Sequence, residues 1–403
     1  MKKDHRYLSW SILVFGFVIV FFHRLAIGSV ADQLMSDLKL DSVQIANLAA
    51  MTFYGYALMQ LPVGIMVDTI GVRKICTAGM AVTAVGSILF GMSDVLILSY
   101  FARLLVGIGT SVIIVSIMKL QATLFPVNMY STLSGLTSLF GNFGAFFATI
   151  PLTYIAINFG WRETFIILGV ITAILSLLIH IFVKEGQTYE KHDKINVKEA
   201  VKYVLTNKKV YPDFFIMVFF VGSLTAVLGL WGNGYLKTVY SISGEKAAYY
   251  LSFITYGFIV GAPIVGKLSD FLGGEIKKIL LIASGGYVLI WTYVLLIHKG
   301  QPPMNQWPII FFLMGLFIIC HILVFSNVKE VNPLKYTGIA ISIVNIGEFV
   351  GSGLITLSMG YMIKRLELTS MPSDQIFKMA MIMVLGSAVL SFISVTFMHK
   401  KEI

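Results

Sequence analysis

The chain has 403 residues, 57% of them apolar and only 12% charged, with a formal net charge of +10. Soluble domains carry roughly 25% charged residues, and no soluble fold of this length can hide so much apolar surface, which excludes a water-soluble enzyme or binding module. The positive charge does not point to nucleic acid, because the basic residues lie at alternate ends of hydrophobic runs, and Cys76 and Cys320 are too few and too distant for a disulfide framework or a metal cluster.

Apolar runs of about 18 residues or more read as membrane-spanning helices. The first, near 8–30, follows Lys2, Lys3 and Arg6 as a signal peptide would. It lacks a small-residue cleavage site and is followed by further spans, so it is expected to be a retained helix. Further spans are expected near 45–67, 73–93, 95–122, 132–157 and 162–183, then near 213–237, 246–269, 277–298, 307–328, 336–361 and 375–399. The charge-rich break 184–212 separates the two sets of six. It divides the chain into an N-terminal bundle (1–183), a linker (184–212) and a C-terminal bundle (213–403). Within the linker Val197, Val201, Val204 and Leu205 recur at helical spacing, which predicts a short amphipathic helix. Lys and Arg concentrate in the breaks on the N-terminal side, among them Arg73 and Lys74, seven lysines between Lys184 and Lys209, and Lys277 and Lys278. The positive-inside rule then puts both termini in the cytoplasm, with the protein multi-pass in the cytoplasmic membrane.

The two halves repeat in sequence. Tyr54, Gly55, Val63, Gly64, Asp68 and Gly71 recur 202 positions later as Tyr256, Gly257, Val265, Gly266, Asp270 and Gly273. Internal repeats among hydrophobic segments are characteristic of secondary transporters.

The loop after the second span runs Gly64-Ile-Met-Val-Asp68-Thr-Ile-Gly71-Val-Arg73-Lys74. Gly64 allows close helix approach, Asp68 can accept hydrogen bonds at a helix end, and Gly71 permits a tight turn. This pattern resembles the signature of the major facilitator superfamily. Arg103-Leu-Leu-Val-Gly107-Ile-Gly109 resembles that family's fourth-span pattern, and Gly160-Trp161-Arg162 is similar to its sixth-span start. The second copy of the loop, at Gly266, Asp270 and Gly273, has Glu275 where Arg73 stands in the first. Proton-driven drug antiporters of the family carry a Gly-Pro pattern in the fifth span. Here Gly141-Asn-Phe-Gly144 has its proline displaced to Pro151, which weakens a drug-export reading.

The resemblance implies an all-α integral membrane fold, two pseudo-symmetric six-helix bundles with a central cavity lined by spans one, four, seven and ten. It also implies that the Gly64, Asp68, Gly71, Arg73 loop and its copy govern conformational gating, with no enzymatic activity.

Charges inside a membrane are costly, by about 2.5–3.5 kcal/mol on insertion scales, and so each needs a partner or a watery cavity. Basic groups dominate the first half: His23 and Arg24 in the first span, Arg103 and Lys119 in the fourth. This balance favours an anionic substrate. Arg24 is the leading ligand, since a guanidinium fork can give a carboxylate two parallel hydrogen bonds. Adjacent residues diverge by about 100° on a helix, so His23 reads as packing. Arg103 is a candidate for proton coupling or helix bonding, and Lys119 for catching the anion. In the second half Glu348 is taken as the one deep acid and a candidate proton carrier, and His321 as a possible cavity group. Tyr54, Gln60, Trp231 and Asn233 add polar or aromatic surface, and Trp231-Gly-Asn-Gly234 reads as a helix break.

The expected function is a monomeric secondary transporter for a small organic anion, a carboxylate in particular, coupled to protons, with no metal and no cofactor. The alternatives are an exporter of an amphipathic drug or siderophore-like metabolite and, from another class, a non-transporting membrane receptor.

Overall fold

A computed structural model describes residues 3–184, 197–271 and 275–399, with the backbone alone over 266–271. Among these residues there is no strand, and twelve helices are long and apolar enough to cross a membrane. This is the helical solution that lipid imposes, since each backbone N–H must find its carbonyl within its own segment. The helices are α1 (His5–Asp37), α2 (Ser42–Thr69), α3 (Val72–Gly91), α4 (Leu96–Leu124), α5 (Leu133–Phe159), α6 (Trp161–Phe182), α7 (Lys208–Tyr240), α8 (Gly244–Val265), α9 (Ile276–Ile297), α10 (Met304–Glu330), α11 (Thr337–Glu367) and α12 (Ser373–Thr396). The chain forms two compact units. Unit 1 is Met1–Leu40 with Asn47–Asp193, and unit 2 is Asp41–Ala46 with Lys194–Ile403.

Helix ends fall where the backbone changes hand. Lys39 (φ 51), Gly71 (φ 101), Gly160 (φ 90) and Ser241 (φ 52) all follow or separate helices. At Gly71 and Gly160 that conformation suits a residue without Cβ. Helix α1 runs seven residues beyond its expected end, because nothing between Val30 and Asp37 breaks it and Trp161 Nε1 bonds Asp37 Oδ2 at 2.8 Å. Helix α2 opens with a reciprocal cap: Asp41 Oδ1 accepts from the N–H groups of Val43 and Gln44, and Gln44 Oε1 accepts from the Asp41 N–H, all at 2.9 Å.

The expected break at 231–234 is absent. Helix α7 continues through Gly232 and Gly234 to Tyr240, and its irregularity lies earlier, as π-helical turns at Met217–Val221 and Val227–Trp231. The indole of Trp231 donates to Thr356 O at 2.9 Å and holds this stretch to α11.

The Tyr-Gly repeat has a packing reason. A Cβ at Gly107 would stand 2.2 Å from Thr52 O, and one at Gly55 2.5 Å from Leu104 O, so α2 and α4 touch backbone to backbone. In unit 2, Gly257 faces Phe312 O and Gly315 faces Ile254 O in the same manner. Gly64, expected to allow such an approach, has no atom within 4 Å of the place a Cβ would occupy. The close contact therefore belongs to Gly55, nine positions earlier, and not to the loop motif.

A short helix, Val197–Thr206, precedes α7, with Ala200 and Val204 buried. It is fastened within unit 2 by Tyr336 Oη donating to Glu199 at 2.8 Å, and just beyond it Asn207 Nδ2 donates to Val331 O at 3.0 Å.

Candidate functional site

In unit 1 the unbroken course of α1 separates its two central basic groups. His23 turns into the bundle and is fully buried, while Arg24 is half-buried. The Arg24 guanidinium carbon lies 4.9 Å from the Phe21 ring centroid and 5.1 Å from that of Tyr56. Such contacts hold a guanidinium by its attraction to the ring faces. Tyr56 was not among the expected site residues. Tyr54, which was, projects from α2 about 200° away from it. Gln60 shares the face of Tyr56, one turn along, and is buried.

Arg103 is fully buried. Its Nη2 donates to the backbone carbonyl of His23 at 2.7 Å, and its guanidinium carbon lies 5.5 and 5.8 Å from the Phe90 and Phe165 rings. The motif around it braces α4 on several sides, with Gly107 against α2 and Gly109 against Gly79 of α3.

Lys119 stands elsewhere. Its Nζ is 2.7 Å from Asp68 Oδ1, in a pair whose side chains are 39% and 62% exposed. Asp68 is twelve residues, or about 18 Å, along α2 from Tyr56, so Lys119 joins the loop motif and cannot share a small ligand with Arg24. Gly160-Trp161-Arg162 is likewise a structural fastening, with Arg162 bonding Asp94 at 2.8 Å and Ser93 O at 2.7 Å.

In unit 2 His321 Nδ1 stands 2.8 Å from Ile318 O, so Nδ1 carries the hydrogen and Nε2 is the nitrogen able to take a proton. Glu348 lies midway along α11 and is partly buried. Asn233 Nδ2 donates to Gly244 O at 3.3 Å, which ties it to the start of α8.

Glu348 is not the one deep acid. Asp213, near the start of α7, is fully buried, and both its carboxylate oxygens accept from Asn327 Nδ2, at 3.0 and 2.9 Å. Its position beside Pro212 at a span boundary reads as an interfacial residue, and only the fold brings Asn327 to it from 114 positions away.

The second loop copy lies partly beyond description. Gly273 is outside the described residues, and at Gly266 and Asp270 the backbone alone is given. Glu275, in the place of Arg73, pairs with Lys278 of its own helix. Cys76 and Cys320 are buried and form no disulfide, and among the described residues no cluster has metal-binding composition.

Among the described residues, twelve helices long and apolar enough to cross a membrane define a multi-pass membrane protein. The family model "Major Facilitator Superfamily" matches residues 13–356, and the chain belongs to that family. It is 21% identical over 411 residues to "Probable galactarate/D-glucarate transporter GarP" of Escherichia coli (strain K12), covering 91% of this chain and 90% of that one. It is 22% identical over 282 residues to "Probable sulfoacetate transporter SauU" of Cupriavidus necator, covering 66% of this chain and 65% of that one. Among solved structures it is similar to a bacterial homologue of the human lysosomal transporter Spinster, with a TM-score of 0.77, 15% identity and 98% of each chain covered, a likeness of fold.

Proposed function

We propose that the protein carries a small organic anion, a carboxylate or sulfonate, across the cytoplasmic membrane by alternating access, coupled to protons, with both termini in the cytoplasm. The observation that carries this reading is Arg24, a half-buried guanidinium midway along α1, laid on Phe21 and Tyr56. The names of two relatives support it, since galactarate, D-glucarate and sulfoacetate are all small organic anions.

In this reading Arg24 takes the anionic group of the substrate, with Tyr56 and Gln60 beside it on α2. Arg103 braces α1 from behind through the His23 carbonyl. Glu348 carries the coupled proton in unit 2, and the Asp68–Lys119 pair belongs to the gating loop. Trp231 and Asn233, each bonded to a neighbouring helix, shape the wall and do not grip the solute.

The test is uptake into proteoliposomes of radiolabelled D-glucarate and sulfoacetate under an imposed proton gradient. Arg24→Ala is expected to abolish uptake and Arg24→Lys to leave a small fraction, because an ammonium lacks the planar fork. Unchanged uptake by folded Arg24→Ala would show that another group holds the anion.

A further inference from the structure

Helices α7 and α12 pack side by side in unit 2, and the start of α7 meets the end of α12 across a groove of about 350 Å³. On α7 the wall is Lys208, Tyr211 and Phe215, which share one helical face at spacings of three and four. On α12 and just past its end it is Ile393, Phe397 and His399. All six are exposed, and Phe215 and Phe397 are 44% and 67% open.

The polar atoms along the apolar stretch are already used. Tyr211 Oη donates to Leu205 O at 2.7 Å, and Ser394 Oγ, also in the wall, donates to Leu390 O at 2.7 Å. What is left is basic at one end and aromatic or aliphatic along the rest, with no acid among the lining residues. Asp213, the acid nearest in sequence, turns inward and is buried on Asn327.

The end of α12 would ordinarily oppose an anion, because its last carbonyls are the negative pole of the helix. Here Lys277 Nζ, from the start of α9, donates to Thr396 O at 2.6 Å and to Met398 O at 2.7 Å. One ammonium thus covers that pole and fixes the short stretch that carries Phe397 and His399. Across the groove Lys208 and Lys209 stand exposed at the start of α7, where the pole is positive.

We propose that this groove binds one anionic phospholipid, its headgroup phosphate between Lys208 and His399 and its acyl chains along Tyr211, Phe215, Ile393 and Phe397. The chemistry of the walls selects this ligand. A small free anion would satisfy the basic end only and leave the rings unused. A zwitterionic lipid would bring its own cationic group beside Lys208, which repels it. The volume admits a headgroup and the first methylenes but not a whole lipid. The rest of each chain continues along the span, where Phe219 stacks on Phe215 with ring centroids 6.0 Å apart. Basic pockets between spanning helices hold anionic headgroups by the same balance of charge and hydrocarbon. Bound there, the lipid ties the start of α7 to the end of α12 and stabilises unit 2, whichever solute is carried.

The test is thermal unfolding of the purified full-length chain in detergent, titrated with dioleoyl phosphatidylglycerol, dioleoyl phosphatidylcholine or glycerol 3-phosphate. Phosphatidylglycerol is expected to raise the unfolding midpoint saturably, as a ligand of the folded state does, and beyond any change given by the other two. Lys208→Gln/His399→Gln, at two exposed positions, should raise the concentration needed by about tenfold or more. Lys198→Gln/Lys202→Gln removes two exposed lysines from the neighbouring short helix and should leave the response unchanged. No rise with phosphatidylglycerol, an equal rise with phosphatidylcholine, or an equal rise with glycerol 3-phosphate overturns the proposal. An unchanged response in Lys208→Gln/His399→Gln does so too, as does an equal loss in Lys198→Gln/Lys202→Gln, which marks diffuse attraction to anionic lipid.

Discussion

In unit 1 the second and fourth spanning helices meet at Gly55 and Gly107, and in unit 2 the corresponding pair meets at Gly257 and Gly315. The first and fifth helices of each unit also approach through glycine, with Gly144 against Val18 O in unit 1 and Gly351 against Val218 O in unit 2. Charge follows no such parallel. Unit 1 holds Arg24, Arg103 and His23 near the middle of its helices, whereas unit 2 holds His321 on α10, Glu348 on α11 and a second acid, Asp213, on Asn327. Backbone contacts that let helices pack are thus kept in both copies, while the groups that meet solute and proton differ. A duplicated scaffold constrains its packing glycines twice and leaves its polar chemistry free to diverge.

The packing half of this comparison predicts the largest effects. Gly107→Val and Gly315→Val each force a Cβ into a facing carbonyl, 2.2 and 2.1 Å away, and each is expected to cost more than about 3 kcal/mol. Gly64→Val, with open space at its Cβ, should cost far less. Thermal unfolding of the three purified variants checks this. Equal damage at Gly107 and Gly315 supports the shared scaffold, and damage in one half alone breaks it.

The seam between first and fourth helices gives a sharper contrast. In unit 1 it is bridged by Arg6 Nη1 donating to Leu124 O at 3.0 Å, and in unit 2 by Asn327 donating to the buried carboxyl of Asp213. Removing Asn327 strands a buried acid, so Asn327→Leu is expected to destabilise by about 3 kcal/mol or more. Arg6→Ala loses one hydrogen bond at a part-buried site, about 1 kcal/mol. The double variant Asp213→Asn/Asn327→Leu should recover part of the loss, because no charge is then left unpaired. Chemical unfolding followed by tryptophan fluorescence reads all three.

The smallest effect is expected at Asp41 in unit 2, where Lys364 Nζ lies 2.8 Å from its Oδ2. Burial pushes this carboxyl up, but the hydrogen bonds from Lys364 and from the Gln44 and Val43 backbone outweigh it and leave it below the usual range. A carboxyl with a depressed folded value stabilises above its unfolded value, about 3.9, and loses that stabilisation as pH falls through the folded value. Lys364→Met should therefore melt slightly below the wild type at pH 6, and the difference should close as the pH falls through the folded value of Asp41.

The spans were legible because lipid demands about twenty apolar residues in a row, and a six-plus-six count followed from them. The repeat could be read too, although the sequence reading credited the close approach to Gly64 when the packing reason lies at Gly55. Less of the candidate site was legible. Arg24 stood out because a midspan guanidinium is rare, yet its ring partner proved to be Tyr56, since only the register of α1 against α2 decides which tyrosine faces it. His23 read as packing because adjacent residues on a helix diverge by about 100° and Arg24 was taken to face the cavity. That Arg103 is opposite, 80 positions later, is tertiary information. Asp213 with Asn327 was hidden for the same reason. The apparent break at 231–234 misled because two glycines near a tryptophan resemble a discontinuity, whereas the bond from Trp231 to Thr356 O keeps the helix whole.

The central claim is that the anion belongs to the basic group of unit 1 and not to Glu348 of unit 2. Isothermal titration of D-glucarate into Arg24→Ala and Glu348→Gln tests it most directly. The account predicts that Arg24→Ala shows no heat of binding, while Glu348→Gln still binds but with fewer protons exchanged between buffers of different ionisation enthalpy. Undiminished binding by Arg24→Ala together with lost binding by Glu348→Gln would contradict it.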